Sequence, residues 1–357
     1  INPAGDVNND GIDDFAIGAV GTQNTKGKAY LYLGKENFTG QADLIYDDGT
    51  SGSWFGAMVG SLDFNNDGFD DIVVGAPGHN NLTGKFEVYL GNDTPDNISD
   101  FTVEGYQVES VFGHSVAGLN DFNGDGFDDI IVGAIDYGNQ NKGQAYIYYG
   151  GENPDMIPAV TFDGEIEDGG FARFVKSVGD INNDGYDDAG IGAYNAGIVY
   201  IYYGDENPNS TADEIYSENG GGYGWSFATI DFYDDNSPDL FMSAYAEQPN
   251  GKTYMYYTDP IATDIDETYE GFISVYPNPS SGVFTIRSIS GPLDFNISRI
   301  TITNVAGIII YTSPLSDLQA YRFGAERQID LSNYSKGVYF LKVETNNRYF
   351  TQIILIQ

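Results

Sequence analysis

The stretch Asp63-Phe64-Asn65-Asn66-Asp67-Gly68-Phe69-Asp70-Asp71, running straight into Ile72-Val73-Val74-Gly75-Ala76-Pro77, decides how this chain folds. Counting the first Asp as position 1, oxygen-bearing side chains stand at 1, 3, 5 and 9. Gly68 stands at position 6, where the backbone must turn sharply, and position 7 is free to offer its carbonyl. Hard cations such as Ca²⁺ bind through roughly six to eight oxygens of this kind. The spacing therefore predicts a Ca²⁺ site from Asp63, Asn65, Asp67, Phe69 and Asp71. The same pattern recurs as Asp6, Asn8, Asp10, Ile12 and Asp14, as Asp121, Asn123, Asp125, Phe127 and Asp129, and as Asp180, Asn182, Asp184, Tyr186 and Asp188. An EF-hand would place a bidentate Glu at position 12. This chain has Ile17, Val74, Val132 and Ile191 there, and a strand-forming run follows the loop instead of a helix.

The eighth position is also acidic (Asp13, Asp70, Asp128 and Asp187), and is read as a turn-stabilising acceptor rather than a ligand. A fifth, weakened copy carries Asp231, Asp235 and Asp239, with Tyr233 for the Asn, Asn236 for the Gly, and Pro238 at position 8. It loses one ligand oxygen and the turn-forming glycine, so its occupancy by Ca²⁺ is doubtful.

The loop starts lie 57, 58 and 59 residues apart, and then 51 to the weakened copy. A period of this size is the mark of a repeat architecture. Each loop leads into a short β-branched run and then an aromatic one, such as Lys85–Gly91, Gln144–Gly150 and Val199–Gly204. Ahead of the loops stand further strand candidates, near Ala42–Tyr46 with Trp54–Val59, and near Phe101–Glu104 with Val111–Val116. Such runs are too short for helices and are bounded by glycine. Four short strands per unit, with no helical segment, predict one blade of a β-propeller. The abundant tyrosines are expected to pack between blades. On this reading the chain opens in the middle of a repeat and is a fragment or mature piece of a longer protein.

The Phe-Gly steps (Phe55-Gly56, Phe112-Gly113), the loops and the Gly-Ala-Pro triplet together resemble FG-GAP repeats, the units of the integrin α-subunit propeller. The likeness covers about residues 1–257. It departs at Gly18-Ala19-Val20, Gly133-Ala134-Ile135 and Gly192-Ala193-Tyr194, at Gly170-Phe171-Ala172-Arg173, and in the fifth unit, where Trp225-Ser226 is read at the Phe-Gly position and Ser243-Ala244-Tyr245 at the triplet. The resemblance implies an all-β, Ca²⁺-binding β-propeller, seven-bladed when complete, with further blades upstream of Ile1.

Charge separates this part from the rest. The formal net charge is −38. Residues 271–357 hold seven Lys/Arg and five Asp/Glu, which leaves eight of the 15 basic and 48 of the 53 acidic residues to the first 270. That field excludes nucleic acid and anionic membrane as partners of the first part. Four bound divalent ions would offset about eight of those charges. There is no cysteine, hence no disulfide, and no apolar run approaches the roughly 20 residues of a membrane helix, so the chain is not expected to be transmembrane. Catalytic signals are also lacking: the histidines are His79 and His114 alone, and no metalloprotease, nucleophile-elbow or phosphate-loop pattern occurs. His114 is read as a satisfied strand residue.

Residues 258–270 are acidic, lack strand periodicity and read as an exposed linker. Beyond them, strands are expected near 272–276, 282–288, 299–304, 307–311, 321–331, 337–343 and 348–356. About seven strands in fewer than 90 residues predict a small Ig-like β-sandwich over 271–357. Val275-Tyr276-Pro277-Asn278-Pro279-Ser280-Ser281-Gly282, Asn304-Val305-Ala306-Gly307, Leu331–Val343 and the terminal Thr351–Ile356 are similar to the C-terminal sorting domain (type A) of type IX secretion cargo in Bacteroidetes. That resemblance implies recognition by the type IX outer-membrane translocon and its barrel shuttle protein. It also implies removal of the domain after export, with the cut expected in 258–270 and the product released or joined to surface lipopolysaccharide. The combined expectation is a non-enzymatic, Ca²⁺-stabilised adhesion protein, at the cell surface or secreted, whose extracellular ligand is unknown. The alternative is a polysaccharide-active enzyme, or its carbohydrate-binding part, with the catalytic region upstream.

Overall fold

The structure is a computed structural model that describes residues 1–357 except 22–24, 219–220, 232–237, 248–250, 257–272, 289–296, 305–307, 314–325 and 346–348. The chain divides into two units, Ile1–Thr263 and Asp264–Gln357. The expected linker, 258–270, lies outside the described residues.

The first unit is a succession of antiparallel sheets, the blades of a β-propeller. Sheet one is β1 (Asn2–Gly5), β2 (Asp14–Gly18), β3 (Ala29–Tyr32) and β4 (Leu44–Tyr46), in that order. Sheet two is β5 (Val59–Leu62), β6 (Asp71–Ala76), β7 (Lys85–Tyr89) and β8 (Phe101–Glu104). Sheet three is β9 (Phe112–Leu119), β10 (Asp129–Ala134), β11 (Gln144–Tyr148) and β12 (Val160–Asp163). Sheet four is β13 (Phe174–Gly179), β14 (Asp188–Ala193), β15 (Ile198–Tyr202) and β16 (Glu214–Ser217). Sheet five shows three strands, β17 (Tyr223–Ile230), β18 (Asp239–Ala244) and β19 (Lys252–Tyr256). A four-residue helical turn, α1 (His79–Leu82), interrupts the β6–β7 connection.

The strand periodicity follows burial. The second strands β6, β10 and β14 are buried on both faces throughout. That is why they read as unbroken apolar runs rather than alternating ones. The first strands β1, β5, β9, β13 and β17 lie side by side from sheet to sheet, and the first four line a groove of about 290 Å³.

Two sequence expectations change here. Ala42–Tyr46 and Phe101–Glu104 were assigned to the units of the loops that follow them. In the structure each is the outer strand of the preceding sheet, because it pairs with β3 or β7. Residues Asn2–Gly5 consequently supply the first strand of sheet one, which has four strands. The expected strand Trp54–Val59 is mostly a turn: Trp54 and Gly56 take positive φ, and β5 begins at Val59.

The sheets meet through aromatic side chains. Tyr46 packs on Tyr89, Phe162 on Tyr202, and Tyr216 on Tyr256, with ring centroids 4.1–4.4 Å apart. Each pair joins the outer strand of one sheet to the third strand of the next. The tyrosines thus fill the inter-blade cores, as expected.

The Phe-Gly and Gly-Ala motifs are the two halves of one contact. A Cβ on Gly18 would lie 2.1 Å from the Gly56 carbonyl oxygen of the next sheet, and one on Gly75 would lie 2.1 Å from that of Gly113. The same approach joins Gly133 to Ala172 and Gly192 to Gly224, at 2.3 Å. This register corrects the fifth unit. Its Phe-Gly equivalent is Tyr223-Gly224, and Trp225 occupies the position after it, which Ala57, His114 and Arg173 fill in earlier sheets.

The second unit contains β20 (Ile273–Tyr276), β21 (Val283–Ser288), β22 (Ile297–Asn304), β23 (Ile309–Thr312), β24 (Glu326–Asp330), β25 (Gly337–Thr345) and β26 (Tyr349–Ile356). They form a three-stranded sheet β20-β21-β24 and a four-stranded sheet β23-β22-β25-β26. One core, including Phe284, Ile286, Ile302, Ile329, Leu341 and Ile354, is drawn from both sheets. Asn278 lies between two cis X–Pro bonds, at Pro277 and Pro279. Its amide pairs with the last strand, accepting from the Leu355 N–H at 2.9 Å and donating to the Ile353 carbonyl at 2.6 Å. The start of the unit is thereby fastened to its end.

Because Gly75 faces a backbone carbonyl that cannot move aside, Gly75→Ala is expected to destabilise the fold by about 1–3 kcal/mol. Ala117→Gly, on a first strand, serves as a control for the smaller effect of backbone entropy alone in urea denaturation.

Candidate cation-binding loops

The four loops have one geometry. In the second, the Asp67 N–H is shared between Asp63 Oδ1 and Asn65 Oδ1, both at 3.1 Å, and the Gly68 N–H donates to Asp63 Oδ2 at 2.9 Å. The Phe69 N–H donates to Asp67 Oδ1 at 3.0 Å, and Asn65 Nδ2 donates to Asp67 Oδ2 at 2.9 Å. The side chains at positions 1, 3 and 5 therefore converge. Equivalent bonds join Asp6, Asn8 and Asp10, Asp121, Asn123 and Asp125, and Asp180, Asn182 and Asp184. The fifth-position carboxylates Asp10, Asp67, Asp125 and Asp184 are exposed. Gly11, Gly68, Gly126 and Gly185 take φ of 86–97°, as the sixth position requires.

The ninth carboxylate is held differently. Asp71 is fully buried, accepting the Phe64 N–H at 2.9 Å and the Gly91 N–H at 2.7 Å. Asp14, Asp129 and Asp188 repeat this pair of bonds with Val7 and Gly34, Phe122 and Gly150, and Ile181 and Gly204. Each clamps its own loop to the end of the third strand of its sheet. Burial pushes Asp71 and Asp129 up to about 8 and Asp188 to about 7, although the two N–H bonds oppose the rise and the loop carboxylates add to it.

Among the described residues no three His, Cys, Asp or Glu side chains form a metal-holding group. In each loop the third side chain is an Asn, and the ninth is engaged by backbone N–H groups. The donor set nevertheless suits a hard cation, since every convergent acceptor is oxygen. In the fifth loop Asp231 and Asp239 are described, whereas Asp235 lies outside the described residues.

Several contributors to the loop escaped the sequence reading. Position 2 (Val7, Phe64, Phe122, Ile181) is a buried apolar anchor. Its carbonyl accepts from the next sheet: Asn92 to Val7 at 3.1 Å, Gly151 to Phe64 at 2.9 Å, Asp205 to Phe122 at 3.1 Å. Position 4 is left-handed, which is why it is Asn9, Asn66, Gly124 or Asn183. The glycine ending each third strand is obligatory, because a Cβ on Gly91 would stand 2.4 Å from the Asp70 carbonyl. An apolar residue after the first Asp was the available signal for the anchor.

Position 8 was expected to stabilise its own turn. Its partner is instead the neighbouring loop. Asp70 Oδ2 accepts the Asp6 N–H at 2.7 Å, and Asp128 Oδ2 accepts the Asp63 N–H at 3.0 Å. Asp187 bonds to Asn120, and its own N–H donates to the Asp121 carbonyl at 3.2 Å. The acidic doublet therefore has two tasks, one within a sheet and one between sheets.

The repeats and the second unit are also matched by known families. Residues 55–90 and 112–148 match the FG-GAP repeat, and residues 274–357 match the secretion system C-terminal sorting domain. The chain carries FG-GAP repeats and a sorting tail. The first part is 34% identical over 182 residues to integrin alpha-5 of Xenopus laevis, covering 48% of this chain and 17% of that protein. It is 28% identical over 216 residues to integrin alpha-V of Gallus gallus, covering 56% and 20%. The match to integrin alpha-8 of Gallus gallus is 30% over 256 residues, covering 65% and 23%. The chain thus spans about a fifth of the length of these relatives. The sorting tail implies a Bacteroidetes origin and directs export through the type IX secretion machinery, to the cell surface or the medium. No described helix is long and apolar enough to cross a membrane.

Asp128 tests the inter-sheet bond. Asp128→Ala removes the acceptor for the Asp63 N–H and is expected to cost about 1–3 kcal/mol. Asp128→Asn keeps an acceptor oxygen and relieves repulsion from Asp63, Asp187 and Asp70, so its loss should be less than half as large. Equal losses in chemical denaturation would show that the charge, not the bond, is what matters.

Proposed function

We propose that the protein is an exported, non-enzymatic binding protein whose repeat unit is stabilised by Ca²⁺ and presents a ligand surface outside the cell. The observation that carries this reading is the convergence of three oxygen side chains in each of four loops, repeated in the same register. The ligands would be the side chains at positions 1, 3 and 5, the carbonyls of Ile12, Phe69, Phe127 and Tyr186, and the ninth carboxylates Asp14, Asp71, Asp129 and Asp188. A divalent cation beside the buried carboxylate would offset the cost of burying its charge. Carboxylates are abundant, but those of the ninth and eighth positions already serve backbone N–H groups, which argues against an acid–base pair among them.

Residues 1–257 form the binding part on this reading, and 271–357 the address, engaged by the translocon and its barrel shuttle protein. The acidic segment 258–270 is the proposed cut. Deleting 274–357 is expected to leave the product in the periplasm, and the amino terminus of the released tail should map within 258–270. Export of the truncated chain would overturn the assignment.

Calorimetric titration of chelator-treated protein is expected to find about four Ca²⁺, and chelation should lower the melting temperature because the ion binds only the folded state. Asp67→Ala should remove one equivalent while the other three persist. Identical melting curves in Ca²⁺ and chelator, with no heat of binding, would remove the metal from the proposal.

A further inference from the structure

The loops joining first to second strands lie at one end of the sheets. At the other end, second-to-third turns and segments entering the first strands of sheets two, three and four enclose a cavity of about 330 Å³. This is within the size range of small-molecule sites. Its walls include Arg173, Asp136, Asp168, Asn141, Asn195 and Tyr194.

Two register positions build this end. One follows the Phe-Gly step and reads Ala57, His114, Arg173 and Trp225 along the sheets. The other follows Gly-Ala and reads Pro77, Ile135, Tyr194 and Tyr245. The backbone here is fixed by main-chain bonds such as Phe55 N–H to Lys26 O at 2.9 Å and Val111 N–H to Leu82 O at 2.8 Å. Side chains at these positions are therefore free to differ without altering the fold. From sheet two, with Ala57 and Pro77, to sheet five, with Trp225 and Tyr245, they change from aliphatic to cationic and aromatic.

The result is a contiguous cluster of edge-on and tilted rings, interplanar angles 86° and 59°, with one cation among them. The Arg173 guanidinium lies over Tyr194 at 5.1 Å and over Trp225 at 4.6 Å. Tyr194 meets Trp225 at 5.3 Å, and Trp225 meets Tyr245 at 5.0 Å. Trp225 is 38% exposed and Tyr245 58%, beside the cavity mouth rather than within a core. The backbone around the cavity is also strained: Trp54, Leu82 and Val111 all take positive φ, at 54°, 62° and 57°. Such conformations are costly for large or β-branched residues and concentrate at ligand sites.

Charge selects among ligands. Burial raises Asp136, and the nearby Arg173 charge acts against that rise. Asp168 and the acidic chain repel an anion, while Arg173 repels a cation. His114, expected to be satisfied, has a hydrogen bond with the Arg173 backbone and no partner at Nδ1; burial and then the Arg173 charge push it down to about 4, so it adds no positive charge at neutral pH. What remains is aromatic surface next to interspersed donors and acceptors. A neutral sugar matches both: its C–H face stacks on an aromatic ring, and its hydroxyls both donate and accept.

We propose that the cavity lined by sheets two to four, with the adjoining Arg173–Tyr194–Trp225–Tyr245 cluster, binds a neutral oligosaccharide. This names the ligand class for the binding function proposed above and rests on that reading. The chain's two tryptophans, Trp54 and Trp225, line or flank the site, so their fluorescence reports on it directly.

The full chain in Ca²⁺ is titrated with neutral gluco-, manno- and xylo-hexasaccharides, and with oligogalacturonate as the anionic counterpart. At least one neutral hexasaccharide is expected to change the fluorescence, with Trp225→Ala and Arg173→Ala each weakening binding about tenfold or more in calorimetry, and Trp225→Phe retaining most of it. Both alanine variants should keep the wild-type melting temperature. Silence with every neutral sugar, affinity unaltered in both variants, or a preference for oligogalacturonate would each overturn the proposal. Calcium binding measured in the same samples separates that outcome from failure of the stabilised-scaffold reading.

Discussion

A buried carboxylate accepting two backbone N–H groups is the interaction on which the repeat unit depends. Asp71 is typical: one oxygen takes the N–H of Phe64 in its own loop, the other that of Gly91 beyond the third strand. A charge removed from water is costly unless hydrogen-bonded, and even with both N–H bonds burial pushes the Asp71 carboxyl up to about 8. The sequence around it serves that carboxylate. Phe64 buries its ring so that its N–H is correctly placed, and Gly91 lacks the Cβ that would strike the Asp70 carbonyl 2.4 Å away. Changing any one of the three removes the reason for the other two.

The same economy governs the contacts between sheets. Each sheet is joined to the next at both ends, by the eighth carboxylate at the loop end and by the Gly-Ala to Phe-Gly approach at the other. Neither contact is apolar. The aromatic pairs between them supply the burial, whereas the polar ends fix the register in which burial can occur. At the junction of sheets four and five Pro238 stands where Asp70, Asp128 and Asp187 stand elsewhere, so that position supplies no carboxylate. The opposite end keeps the close approach of Gly192 to Gly224, with packing such as Phe174 against Phe227.

The all-β class and the repeat were legible because a 57–59-residue period and unbroken apolar second strands leave little else. The seven strands of the second unit were placed to within a few residues for a similar reason. Strand ownership was not legible. Phe101–Glu104 looks the same whether it opens one blade or closes another, and only pairing with Lys85–Val88 decides. The two tasks of the acidic doublet were hidden because Asp70 and Asp71 are chemically identical. One acts across 64 residues and the other within its sheet, and distance in space is not written in local spacing. The fifth Phe-Gly step was missed because Tyr223 replaces Phe, and only the close approach of Gly192 identifies it.

The two ends of the sheets differ in how much freedom they leave. At the loop end nearly every position is claimed: 1, 3 and 5 by convergence, 2 by burial, 4 and 6 by left-handed backbone, 8 and 9 by distant N–H groups. A new binding specificity introduced there would break the scaffold. At the opposite end the fixed elements are backbone atoms and glycines, so the side chain after each Phe-Gly step can vary in chemistry. Ala57, His114, Arg173 and Trp225 occupy one geometry with four chemistries. Recognition is more readily built where the fold constrains the main chain and leaves the side chain open, and in this chain that is the end away from the acidic loops.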